Sequence, residues 1–247
     1  MAVENMFPTE MVELPSKGKL YPKDSPLAKG EIEIRYMTAA DEDLLTNQNY
    51  IERGVVVDKL LQSLIVDKSI DYNQILVGDK NALLVAARIL GYGAKYEFNY
   101  RGKKEEVDLS QIPAKPLHPD FEAAKENLFT FKCPTGGAVL EFKLLTHGDD
   151  QMVEQELKGL RKVNKDASPE LSTRLKYMIQ SVNGNTDKKA IREFVDKGFL
   201  ARDSRAFRKY VNELQPDLDM KFYPEDGPED GVPVPIEVSF LWPDIDV

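Results

Sequence analysis

Between Thr146 and Leu214 the chain carries its densest set of helix start and stop signals, and these limit what it can fold into. Thr146 with Asp149 is a capping box, in which a hydroxyl and a carboxylate satisfy backbone N–H groups that a first turn leaves free. It predicts a helix reaching about Lys165. Ser168 before Pro169 sets an N-cap with proline in the first turn. Leu171, Leu175, Met178, Ile179 and Val182 then follow at helical spacing, until Asn183-Gly184 ends the helix. Asp187 opens a third helix with Ile191, Phe194 and Val195 inward and Gly198 as stop. Asp203 opens a fourth, burying Phe207, Tyr210, Val211 and Leu214 before Pro216. Four short antiparallel helices with small connections predict a compact bundle.

Upstream the period differs. Met11 to Pro26 mixes Pro, Gly and Lys and predicts extended chain with turns. Glu31 to Tyr36 alternates apolar and polar positions, as a half-buried strand does. Thr38 and Asp41 form another capping box and predict a helix from about Ala39 to Asn47. Val55 to Val66 places Val57, Leu60, Leu61, Leu64 and Ile65 on one helical face. Asp79 is a good N-cap for a third helix carrying Leu83, Leu84, Ala87 and Leu90, stopped by Gly91 and Gly93. Tyr96, Phe98, Tyr100, Val107 and Leu109 then bracket Arg101 to Lys104 as a β-hairpin. Asp108 to Asn127 is Pro-rich and predicts an irregular linker. Phe129 to Phe131 and Val139 to Leu144 predict a second hairpin around Pro134 to Gly137. In the tail, Met220 to Tyr223 and Val234 to Leu241 predict two strands flanking the turn-rich Pro224 to Gly231.

Composition excludes several functions. Hydrophobic residues make up 42% of the 247 and charged ones 30%, too apolar for global disorder. No apolar run approaches the roughly 20 residues of a membrane-spanning helix. The first residues lack a basic start followed by an apolar stretch, so no signal peptide is expected. The single cysteine, Cys133, excludes an internal disulfide and fits a reducing cytoplasm. A net charge of −9 opposes a sequence-independent hold on nucleic-acid phosphates.

No catalytic or metal constellation emerges. Cys133 with His118 and His147 falls short of four Cys/His ligands, and a hairpin turn is the plainer reading of Cys133. Asp149-Asp150 beside His147 looks like an acid–base cluster, but carboxylates in a first turn are favoured by the helix dipole. Glu225, Asp226, Glu229 and Asp230 lack the ligand spacing of a calcium loop. Gly91 and Gly93 follow a helix, where a phosphate loop would precede one. The basic runs Lys158 to Lys162 and Arg202 to Lys209 predict solvated helix faces.

In order and spacing, the landmarks resemble the T-even-type phage baseplate hub and hub-assembly family. The residues that carry this are Leu14-Pro15-Ser16-Lys17-Gly18 and Met37-Thr38-Ala39-Ala40-Asp41-Glu42. The segment from Asp79 to Gly93, Leu144-Leu145-Thr146, and Phe240-Leu241-Trp242-Pro243 complete the set. The resemblance spans residues 11 to 243. The resemblance implies two Cys-Pro-x-Cys-Gly knuckles, common in the family, that together could supply a tetrahedral zinc site. Here the corresponding positions read Asn99-Tyr100-Arg101-Gly102-Lys103 and Tyr223-Pro224-Glu225-Asp226-Gly227, without cysteine. The expectation is hairpins held by strands and turns, with no metal and no cofactor.

The fold class expected is therefore α+β: N-terminal helices with a β-hairpin region, a compact four-helix segment, and a C-terminal β-hairpin resembling a metal-free zinc ribbon. The expected divisions are 1–93, 94–145, 146–216 and 217–247. The resemblance implies a non-enzymatic protein of hub assembly, either a chaperone-like factor or a structural subunit. It implies other tail or baseplate hub proteins as partners, the tape-measure protein among them, but no nucleic acid and no membrane. The place implied is the host cytoplasm during assembly, or the virion. A rival reading is a DNA-binding or regulatory protein on a zinc-ribbon-like scaffold that lost its metal. Phe240, Trp242 and Pro243 are the candidate partner-binding residues. Two readings of them stand: packing onto the hairpin opposite Phe222, or docking on a partner, since tryptophan is enriched among interface anchors.

Overall fold

The first hairpin joins β1 (Thr9–Glu13) to β2 (Glu31–Arg35), in register from Thr9↔Arg35 to Glu13↔Glu31. The computed structural model describes residues 7–163, 169–224 and 227–242. Between the strands the chain folds back on itself so tightly that two glycines are required. A Cβ on Gly18 (φ 73°) would stand 2.5 Å from the Ala28 carbonyl oxygen, and one on Gly30 (φ 79°) 2.8 Å from the Lys17 carbonyl carbon. Any other residue would meet backbone there as well as an unfavourable φ.

Three short helices follow: α1 (Ala39–Leu45), α2 (Gln48–Arg53) and α3 (Val56–Leu64). The capping box of α1 forms, with Thr38 N donating to Asp41 Oδ2 at 2.9 Å. Asp41 also takes the Arg35 guanidinium at 2.6 and 2.8 Å, which ties β2 to α1. α3 buries Val56, Leu60, Leu61 and Leu64, so its inner face is rotated slightly from the one expected with Val57. α4 (Val77–Tyr92) opens two residues before Asp79, with Leu76 as its cap residue. Asp79 is thus not the N-cap. Its carboxylate is turned inward instead, accepting from Ser16 N (2.9 Å), Ser16 Oγ (2.6 Å) and Tyr21 Oη (2.6 Å). Gly91 lies inside α4, and Gly93 alone ends it. β3 (Lys95–Tyr100) and β4 (Lys103–Asp108) then pair around Arg101-Gly102, both at positive φ as a tight primed turn requires.

The expected linker is more ordered than its prolines suggest. It holds α5 (Pro119–Ala123), whose Phe121 is fully buried. β5 (Phe129–Lys132) and β6 (Val139–Phe142) form the expected hairpin. α6 (His147–Val163) follows, and its expected end at Lys165 lies outside the described residues, as does the Ser168 cap.

The four-helix bundle needs correction. α7 (Glu170–Met178) stops early, and Ile179–Val182 forms β7, which pairs with β6 to make a three-stranded sheet of order β5-β6-β7. Asn183 (φ 51°) and Gly184 (φ 79°) form a two-residue turn after β7 and do not end a helix there. Leu171, expected inside, is 46% exposed. α8 (Lys188–Glu193) is capped by Asp187, which accepts from Ala190 N at 2.8 Å, and continues as a π-turn to Gly198. α9 (Ala201–Leu214) begins before Asp203, whose carboxylate instead accepts from Thr135 N (2.8 Å) and Gly136 N (2.7 Å). Burial alone would raise this carboxyl, but those two donors hold it below the usual range. The fourth helix is thereby pinned to the tip of the β5–β6 hairpin.

The C-terminal strand is also corrected. β8 (Lys221–Phe222) pairs only with β9 (Val232–Pro233), and Val238–Phe240 is a 3-10 turn. Pro235 lacks the N–H that a ladder needs, which removes a donor near the start of the expected strand.

The segments gather into two cores in a mixed α+β architecture. One contains residues from Val12 to Leu109 together with Phe222 to Leu241. The other runs from Leu76 to Leu214 around Phe142 and Phe207. The two crossings between them lie side by side: Lys115 N donates to Asp217 O, and Asp219 N to Pro113 O, each at 2.8 Å. α4 abuts this crossing so closely that a Cβ on Gly78 would stand 1.7 Å from the Pro216 carbonyl oxygen.

Candidate functional site

The C-terminal aromatics are built into the first core. Phe240 is almost fully buried and meets Tyr96 edge-on, with ring centroids 4.9 Å apart. Tyr96 Oη donates to Pro235 O at 3.0 Å, which holds the preceding segment against the same strand. Trp242 Nε1 donates to Leu45 O at 3.1 Å, so the indole closes over the end of α1. Phe222 packs instead on Phe98 (4.8 Å) and Tyr100 (5.0 Å). In this arrangement Phe240 offers no surface to a partner. Pro243 lies outside the described residues.

A second feature, which the sequence reading passed over, lies at the joint between the cores. His147 N donates to Ile75 O (2.8 Å) and Val77 N to Leu145 O (3.2 Å), a short antiparallel bridge across the joint. This bridge carries the His147 side chain, 2% exposed, under an open cleft of about 860 Å³ between α2–α3 and α6. Its Nδ1 stands 3.4 Å from Lys80 Nζ and 3.7 Å from Asp58 Oδ1. Lys80 and Tyr72 both reach Asp58 Oδ1 at 3.1 Å, and the Tyr72 ring meets the imidazole edge-on at 4.5 Å. An ammonium has no acceptor, so its contact with Nδ1 requires that nitrogen to be unprotonated. Burial pushes the imidazole's pKa down; Asp58 opposes this and Lys80 adds to it. Burial, with Asp58 beside it, pushes the Tyr72 hydroxyl up.

His147 Nε2 is buried with no hydrogen-bond partner among the described residues, although His147 lines the cleft. Asp149 and Asp150 do not join it as an acid–base pair. Asp149 accepts from Thr146 N (3.1 Å) and pairs with Lys143 (2.7 Å), while Asp150 pairs with Arg174. The cluster fastens the two cores together.

The other residues weighed from sequence stand apart. Cys133 is buried, and burial raises its thiol. His118 accepts from Asp120 N at 3.2 Å as the cap of α5. Among the described residues no group of three or more His, Cys, Asp or Glu side chains could hold a metal ion. No helix there is long and apolar enough to cross a membrane. Neither a family model nor a curated protein nor a solved structure matches the chain.

Proposed function

We propose that the chain is a non-enzymatic assembly protein of a contractile-tail phage baseplate hub, acting as a chaperone-like factor or a structural subunit. The observation that carries this reading is an aromatic contact between the ends of β3 and β8. The resemblance places its cysteine knuckles at Asn99 to Lys103 and Tyr223 to Gly227. These lie at the ends of β3 and β8 in the chain, and there Tyr100 and Phe222 meet edge-on with ring centroids 5.0 Å apart. In this reading the pair is a zinc-ribbon-like unit whose metal has been replaced by an aromatic cluster. Burial of apolar rings supplies local stability that coordination would otherwise supply.

Further support comes from where the other resembling segments fall. Ser16 of the Leu-Pro-Ser-Lys-Gly loop bonds to Asp79, and the Leu144-Leu145-Thr146 segment bridges to Leu76 and Val77. Trp242 closes on the helix that follows Thr38. Sites distant in sequence thus form one scaffold, which is what the reading as an assembly protein calls for. Other tail or hub proteins, the tape-measure protein among them, are the partners this reading supplies.

The test is a nonsense mutation in the gene, in the phage genome that encodes it, grown with and without a suppressor. Electron microscopy of the unsuppressed lysate should show heads without complete contractile tails, and supplying the chain in trans should restore them. Normal tails in its absence overturn the proposal. Mass spectrometry of purified virions then separates a retained subunit from a factor that leaves.

A further inference from the structure

The first hairpin leaves one strand edge open, since among the described residues β1 pairs only with β2. Leu14 N donates to Gly30 O and Tyr36 N to Pro8 O, so the even-numbered residues of β1 turn their backbone groups toward β2. Thr9, Met11 and Glu13 turn theirs outward, and no outward group has a hydrogen-bond partner among the described residues. We propose that this edge pairs antiparallel with the same edge of a second copy of the chain, about a two-fold axis at Met11. The inference does not depend on the baseplate reading, because it rests on the backbone geometry and residues of β1 alone.

The edge lacks the usual guards. Natural edge strands are blunted by lysine, by proline, by a bulge or by a covering element. β1 reads Thr-Glu-Met-Val-Glu, without lysine, and its register with β2 runs without a shift. The nearest proline, Pro8, lacks its N–H on the side that faces β2, where Tyr36 N meets its carbonyl. Each outward residue therefore keeps both a donor and an acceptor. Glu10, Met11 and Glu13 are exposed, so no described element covers the strand there. Met11 itself is 49% exposed. Donors and acceptors at every second residue are matched by another extended strand.

The residues of β1 make a second copy the fitting strand. Pairing about Met11 sets Met11 against Met11, Thr9 against Glu13 and Glu10 against Val12. Outward residues then meet only outward residues, and no glutamate faces a glutamate. Other registers fail. A slip of one residue sets outward groups against inward ones. A slip of two toward the N-terminus centres the pair on Glu10 and sets that carboxylate against its own copy, which is destabilising. A slip of two the other way carries Thr9 past the strand end to Pro15, which has no N–H to give. The favoured register is self-complementary, as a two-fold interface requires. A strand pair buries little area, so the dimer should exchange with monomer.

Sedimentation velocity of the full chain at rising concentration reads the association, and amide hydrogen exchange reads the surface. Met11→Lys and Met11→Glu are the variants, because the side chain is exposed, and thermal melts check that both stay folded. The wild type should dimerise reversibly, with the Thr9, Met11 and Glu13 amides gaining protection as concentration rises. Each variant alone should associate about tenfold more weakly, since like charges then meet on the axis. An equimolar mixture of the two variants should recover association, since the new charges are then opposite. A wild type that stays monomeric at the highest attainable concentration overturns the proposal. So does a dimer whose three outward amides stay unprotected, a result that needs no variant. Association that both substitutions leave intact, or that their mixture does not restore, takes Met11 off the axis and overturns the pairing.

Discussion

Gly78 offers a test in which two physical effects have opposite signs. It lies in the first turn of α4 and is not among the glycines at positive φ, so nothing about its backbone demands glycine. Helix propensity alone predicts that Gly78→Ala stabilises the protein by up to about 1 kcal/mol. The structure predicts the reverse. The new Cβ would stand 1.7 Å from Pro216 O and 2.8 Å from Pro216 C, both backbone atoms that cannot rotate away. Relief needs a displacement of about 1.5 Å, since unbonded carbon and oxygen settle only a few tenths of an ångström inside 3.5 Å. The displaced segment carries Asp217, which accepts from Asn81 Nδ2 at 3.1 Å and, through its carbonyl, from Lys115 N at 2.8 Å. Overpacking of this kind costs about 1–3 kcal/mol, and each lost hydrogen bond about 1 kcal/mol more. The net expectation is destabilisation by roughly 2–4 kcal/mol after the propensity gain is subtracted. Gly91→Ala is the control in the same helix. Its Cβ would meet Met37 Cε, the free end of a flexible side chain, so the change should be close to neutral. Urea denaturation of wild type and both variants, followed by far-ultraviolet circular dichroism, reads the difference. A Gly78→Ala protein as stable as wild type, or more so, would refute the packing of α4 against the crossing between the two cores.

Four further outcomes are expected. Phe207→Ala should cost about 3–5 kcal/mol by thermal or urea denaturation, because its ring is fully buried against Phe142 at 4.8 Å and Phe131 at 5.4 Å; a loss under about 1 kcal/mol would place it outside the core. Trp242→Phe should cost on the order of 1 kcal/mol by leaving Leu45 O without its donor, and an unchanged midpoint would mean that water replaces the bond. The depressed pKa of His147 means that the folded state binds its proton less readily than the unfolded chain. Its contribution is therefore complete above about pH 6.5 and lost as pH falls below that; denaturation midpoints at pH 7.5 and 5 should differ more in wild type than in His147→Gln, and equal differences would exclude it. Elemental analysis should find well under one zinc per chain, and a chelator should leave the melting temperature unchanged; stoichiometric zinc would remove the aromatic-cluster reading.

Much of the local structure was legible in the sequence because its causes are local. The boxes at Thr38/Asp41 and Thr146/Asp149, the Asp187 cap and the hairpins around Arg101-Gly102 and Pro134 to Gly137 depend on side chains within a few residues of the groups they serve. The apolar positions of α9 are spaced by the helix itself, so Phe207, Val211 and Leu214 are inside as their periodicity requires. Ile179 to Val182 shows where this stops. Its spacing also fits a helix, and Asn183-Gly184 serves equally as a helix stop or a primed hairpin turn. The free edge of β6, about forty residues upstream, decided for strand. Asp79 and Asp203 were ambiguous for the same reason: an aspartate near a helix start can cap it or reach elsewhere. Ser16 and Tyr21 in one case, and the Thr135–Gly136 backbone in the other, supply donors from distant segments. The cleft cluster of Asp58, Lys80, Tyr72 and His147 left no pattern, since each residue comes from a different element. Period and capping are properties of consecutive residues and survive in the sequence; which buried polar groups find each other is fixed only when the two cores meet.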